Sequence, residues 1–143
     1  MCIRDRDRFQ GYLDALADSG LARDGEIIVG REQQTFENGY DAMKQLLQEK
    51  KATACFVAEN PMAQGVFKCL MDYKKRIPEE MAMICYDDFE WSQLTVPTIS
   101  AIRQPMKEMG RKAVELLLKK IGDPDARCEN IILKSEFILR ESC

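Results

Sequence analysis

The chain has 143 residues, 45% hydrophobic and 31% charged, the make-up of a single globular domain able to bury a core. A formal net charge of −3, with no basic run longer than Lys74-Lys75-Arg76, argues against nucleic-acid binding by this chain alone. No apolar run approaches the roughly 20 residues that span a bilayer; the absence of histidine removes the commonest general base and, with no CxxC pair among the cysteines, leaves no zinc-site signature.

Residues 1–6 resemble the translation of a transposase-derived sequencing adaptor, so native sequence is expected to begin near Asp7 or Arg8; the alternative is a natural start codon. The start lacks the apolar stretch of a secretory signal, which points to the cytoplasm if this is the true N-terminus. Residues 8–20 place Phe9, Tyr12, Leu13 and Leu16 on one helical face, with Gly20 as a stop. Residues 26–30 read as a short strand, and Phe36, Tyr40, Met43 and Leu47 mark a second amphipathic helix with Thr35 as its cap. Residues 52–58 form a continuous apolar run, as in a strand covered on both sides.

Asn60-Pro61 opens the next helix with a capping residue and a proline at the first helical position; Met62, Val66, Cys69, Leu70 and Tyr73 form its core face. Residues 81–86 read as another buried strand ending in Asp87-Asp88, followed by a short irregular or helical piece (89–94) and a strand at 98–103. A long helix follows over 105–121, with Met106, Met109, Ala113, Leu116, Leu117 and Ile121 facing inward. Residues 131–133 and 137–139 complete the chain as a hairpin or paired edge strands. Alternating strands and helices with short connections make a parallel sheet flanked by helices the economical α/β fold.

In such a sheet ligands bind beyond the carboxyl ends of the strands. Asp87-Asp88 is the strongest site signal there: Asp87 is read as a hydroxyl acceptor, Asp88 as a cap for 89–94. Asn60 is explained by its position as a helix cap, with ligand binding as the alternative. No nucleophile elbow, phosphate-binding glycine loop or dinucleotide fingerprint occurs, so the chain is not expected to be an enzyme, and no cofactor or metal is implied. The six cysteines include no CxxC pair; Cys55, Cys69 and Cys85 lie in apolar patterns and are read as reduced.

The ordered motifs resemble the LacI/GalR family of transcription regulators. Residues 8–12 (RFQGY) are similar to its "RxxGY", 58–65 (AENPMAQG) to "ANDxMAxG", 76–80 (RIPEE) to "xVPxD" and 85–88 (CYDD) to "GFDD". Residues 98–105 (TISAIRQP) resemble "LTTVRQP", and the ending 139–143 (LRESC) resembles "VxRxS". The resemblance implies most of the C-terminal lobe of a two-lobed, periplasmic-binding-protein-like receptor over residues 7–143, with helix 105–121 belonging to the other lobe. It further implies a sugar or sugar-like effector held by Arg8, Asn60 and Asp87. At the position where the family usually carries an aromatic stands Gln34, with Phe36 as a substitute. A homodimer is implied, with its interface placed at Met62, Val66, Trp91 and Leu94, and DNA contact only through an N-terminal helix-turn-helix outside this chain. A sugar-binding component of a transport system, which shares the fold, is the first rival. A phospho-acceptor signalling domain is the second, although Arg103-Gln104 stands where its lysine belongs.

Overall fold

The computed structural model describes residues 3–21, 28–30, 32–49, 52–127 and 129–143. The elements run α1 (Ile3–Asp18), α2 (Phe36–Glu49), β1 (Ala54–Val57), α3 (Asn60–Asp72), β2 (Ala82–Tyr86), α4 (Trp91–Leu94), β3 (Ser100–Arg103), α5 (Met106–Gly122) and β4 (Glu136–Ile138). The four strands form one sheet in the order β1-β2-β3-β4. β1, β2 and β3 are parallel, with Phe56 opposite Ile84 and Ile84 opposite Ser100. The last strand, β4, lies at the edge as expected and is antiparallel to β3, pairing Ile102 with Phe137.

Other expectations change. Residues 131–133 form no strand, so the terminal hairpin is replaced by direct pairing of β4 with β3. Of the strand expected over 26–30, Glu26 and Ile27 lie outside the described residues and Ile28–Gly30 are not in a strand.

The core lies between the sheet and the pair α2 and α3. Met43, Val57, Val66, Cys69, Leu70, Met81, Met83, Cys85, Ile99 and Ala101 are all buried in one cluster. Alternate residues of β2 explain its part in it: Met83 and Cys85 face this cluster while Ile84 and Tyr86 are half-buried. Thr35 does cap α2, its Oγ1 accepting the Asn38 N–H at 3.2 Å. Val66, placed on a dimer surface by the resemblance, is instead 4% exposed and committed to this core. Met62 is half-buried against the same cluster, as is Trp91, whereas Leu94 is 82% exposed. Tyr73, expected on the core face of α3, is exposed.

The described cysteines are free thiols; Cys69 and Cys85 are buried and Cys55 half-buried. Burial pushes the Cys55 thiol up to about 12 and those of Cys69 and Cys85 to about 11, which keeps them protonated near neutrality.

α5 is amphipathic by sequence, yet none of its residues is buried. Of the residues read as its inward face only Leu116 is half-buried; Met106 is 65% exposed, Leu117 59% and Ile121 67%. Periodicity identified a stripe, and nothing among the described residues covers it. Leu117→Glu is therefore expected to change unfolding free energy by less than about 0.5 kcal/mol while reducing self-association. Urea titration with sedimentation velocity checks this, and a loss comparable to a core truncation would show that Leu117 is packed after all.

Candidate functional site

The carboxyl ends of β1 and β2 lie side by side because the strands are parallel and paired through Val57 and Cys85. The next residues, Ala58–Asn60 and Asp87–Asp88, therefore emerge at one edge of the sheet. α1 brings Arg8 to that edge. Its guanidinium donates to the Ala58 carbonyl and to Glu59 Oε1, both at 2.8 Å, and lies 3.7 Å above the centre of the Tyr86 ring. Two hydrogen bonds and a ring face hold the group flat, with its charge met by Glu59.

Asn60 does not cap its helix. The N-cap of α3 is Glu59, without a side-chain capping bond, and Asn60 is the first helical residue. Its Oδ1 accepts the indole N–H of Trp91 at 2.7 Å. Proline in the first turn costs no hydrogen bond there, since those N–H groups have no partner within the helix.

Asp87 follows β2 in a left-handed backbone conformation, φ 71°, which is uncommon for any residue but glycine and more tolerated by aspartate and asparagine. Its N–H donates to the Ile102 carbonyl at 2.9 Å, which turns the chain out of the sheet. Its Oδ1 accepts from Gln104 Nε2 at 2.5 Å. The carboxylate borders a shallow hollow lined by Asp88, Phe89, Arg103, Gln104 and Met106.

Asp88 has a different task from the capping role its position suggested. Its side chain is 1% exposed and meets Arg140 through both oxygens, at 2.7 and 2.9 Å. Arg103 reaches Oδ2 at 2.6 Å and Ser92 Oγ donates to Oδ1 at 3.1 Å. The Arg140 pairing, reinforced by Arg103 and Ser92, holds the Asp88 carboxyl down at about 2, against its own burial. Arg140 also donates to the Ile99 carbonyl at 2.6 Å, and Ser142 links the starts of β2 and β3 by accepting the Ser100 N–H and donating to the Met83 carbonyl.

Arg8 and Asp87 are joined through Tyr86, which stacks under one and precedes the other in sequence. Asn60 follows directly on Glu59, a partner of Arg8. Gln34 and Phe36 are both exposed, Phe36 at the first position of α2, and no hydrogen bond joins either to the three. Tyr86, Glu59 and Gln104, which orient Arg8 and Asp87, have no individual role in the sequence reading, and Trp91, which orients Asn60, is placed there at a dimer interface. The only signal for them was their position next to a strand end or inside a terminal motif.

The sequence matches the family of periplasmic-binding-protein-like domains over residues 3–143. It is 33% identical to the ribose operon repressor of Haemophilus influenzae over 138 residues, covering 96% of this chain and 41% of that protein. Two solved structures superpose closely. One, a complex of the transcriptional regulator CelR with cellobiose, has a TM-score of 0.86 at 29% identity, over 95% of this chain and 42% of the other. The other is a sugar-binding transcriptional regulator of the LacI family from Escherichia coli complexed with phosphate, with a TM-score of 0.84 at 27% identity, over 99% of this chain and 51% of the other. The chain thus spans about two fifths of the length of the curated relatives it matches. These proteins carry the names of regulators and none that of a transport component. A sheet edge carrying a stacked arginine and an acidic turn, within a family match that omits only the first two residues, leads to one conclusion: the chain belongs to the periplasmic-binding-protein-like domains of the LacI/GalR family.

Proposed function

We propose that this chain forms one side of the effector pocket of a cytoplasmic, DNA-binding transcription regulator, and that the effector is a neutral, hydroxyl-rich molecule such as a sugar. The observation that carries the reading is the grouping of Arg8, Asn60 and Asp87 at one edge of the parallel sheet. A guanidinium donates, a carboxylate accepts and an amide can do either, and a polyol satisfies all three because each hydroxyl is both donor and acceptor. Glu59 already meets the charge of Arg8, so this guanidinium is not a spare cation for a phosphorylated or acidic effector. The names of the relatives described above, a ribose operon repressor, a cellobiose complex of CelR and a sugar-binding regulator, agree with this chemistry.

The chain acts by binding, not catalysis. The second side of the pocket, with the sheet that covers the exposed stripe of α5, belongs to the rest of the regulator, as does the DNA-reading head. Effector binding alters DNA affinity through its different affinity for two arrangements of the whole protein. Paired heads suit a homodimer reading two half-sites, for which Leu94 and its exposed neighbour Val96 offer apolar surface.

The test is titration of the isotopically labelled chain with D-ribose and with cellobiose, followed by nuclear magnetic resonance, which reads weak binding residue by residue. Resonances of Arg8, Asn60 and Asp87 are expected to move together with one sugar. Asp87→Asn, which keeps tolerance of the left-handed backbone, should weaken that binding about tenfold, the usual loss for a hydrogen bond to a charged acceptor. Unchanged affinity in this variant removes Asp87 from the site.

A further inference from the structure

We propose that Trp91 is a positioning residue: its indole locks the Asn60 amide so that this sheet edge presents an N–H2 group, never a carbonyl, to the effector. The inference rests on the pocket reading above and specifies the hydrogen-bonding polarity of that pocket.

An indole N–H donates and cannot accept. The Asn60 atom 2.7 Å from Trp91 Nε1 is therefore the amide oxygen, and Nδ2 lies on the opposite branch of the planar group. Among the described residues Nδ2 makes no hydrogen bond, which leaves both of its protons for a ligand. Reversing the amide would set Nδ2 against the indole N–H, two donors facing each other, so the reversed form is strongly disfavoured.

Trp91 is itself held in place. Its ring packs against Phe67 of α3, centroids 6.2 Å apart and tilted by 51°. The next residue, Ser92, is fully buried and bonded to Asp88 and Arg140. The clamp around Asp88 thus fixes α4, α4 fixes Trp91, and Trp91 fixes Asn60. This gives the second aspartate of the pair a consequence at the site without any contact to the effector.

The polarity of the edge follows. Arg8 and Asn60 present only donors, and Asp87 presents only acceptor capacity, with Oδ1 already taken by Gln104. The effector must therefore turn oxygen lone pairs toward Arg8 and Asn60 and a hydroxyl proton toward Asp87.

Trp91 is the only tryptophan, so its indole N–H resonance is unambiguous. Solvent exchange of that proton is expected to be slow in the wild-type chain, equally slow in Asn60→Asp, where a carboxylate oxygen still accepts it, and fast in Asn60→Leu. Exchange in the wild type as fast as in Asn60→Leu overturns the proposal. The second arm measures affinity for D-ribose or cellobiose, whichever moves the resonances of the wild-type chain. Asn60→Asp replaces the donor with an acceptor in the same shape and should weaken binding at least about tenfold while the indole stays protected. Trp91→Phe keeps a ring against Phe67, loses the lock and should weaken binding about three- to tenfold. Asn60→Asp binding as tightly as wild type also overturns the proposal. Silence of the wild type toward both sugars counts against the effector reading instead, and the exchange arm still decides the orientation of Asn60.

Discussion

Replacing Asp88 with alanine is expected to lower the unfolding free energy by about 3–5 kcal/mol, the usual cost of breaking a buried ion pair from one side. The loss falls mostly on Arg140, whose side chain is 13% exposed and would keep its charge without the carboxylate. Arg103, half-exposed, can turn to solvent and should contribute little. A charge-reversing swap of Asp88 and Arg140 is not expected to replace the native pair, because Arg103 would then face a second guanidinium and the Ile99 carbonyl a carboxylate. The pH dependence gives an independent check. The folded-state carboxyl lies at about 2, below its ordinary value of 3.8. A depressed folded value means the unfolded chain binds the proton more readily, so the contribution is complete above pH 3.8. It is lost as pH falls from there toward 2. Urea unfolding of wild type and Asp88→Ala across that range should show their difference shrinking as the medium is acidified. A difference that stays constant would mean that the carboxylate charge is not what holds the C-terminal segment.

That pairing also shows which parts of the molecule were legible in the sequence. The strands β1 and β2, the helix that starts at Asn60-Pro61 and the capped start of α2 all follow from local rules, because apolar period, caps and proline act within a few residues. The division of labour between Asp87 and Asp88 does not. From sequence Asp88 looks like a local cap, because the partners that claim it, Arg103 and Arg140, lie 15 and 52 positions away. Asn60 looks like a cap for the same reason, since its partner Trp91 stands 31 positions downstream. Arg140 and Ser142 were visible only as part of a terminal motif, with no physical role attached, although they tie the end of the chain to β2 and β3. α5 is the complementary case: its period correctly defined an apolar face, but a face carries no information about what covers it. The strand-end edge proposed for the site was therefore legible in the sequence, and the second layer of contacts that holds its side chains was not.

A glycine inside a helical pattern looks like a weakness, yet here the same substitution is expected to have opposite signs at different positions. A Cβ at Gly65 of α3 would stand 2.8 Å from the Tyr40 nitrogen and 2.9 Å from the Phe36 carbonyl carbon, both backbone atoms of α2. Gly39 answers from the other helix, where a Cβ would stand 2.6 Å from the Met62 Cα. Backbone cannot step aside as a flexible side chain can, so Gly65→Ala must push α2 from α3 and open the cluster containing Met43, Val66 and Leu70. The helix propensity of alanine returns only about 1 kcal/mol. The expected net loss is about 3 kcal/mol, at the upper end of ordinary overpacking. At Gly110 of α5 a new Cβ meets nothing within 4 Å, so Gly110→Ala keeps the propensity gain and should stabilise the helix by up to about 1 kcal/mol. Urea unfolding of the two variants side by side tests the packing argument, since propensity alone predicts the same sign for both. A Gly65→Ala chain as stable as wild type would mean that α2 and α3 do not cross at backbone contact.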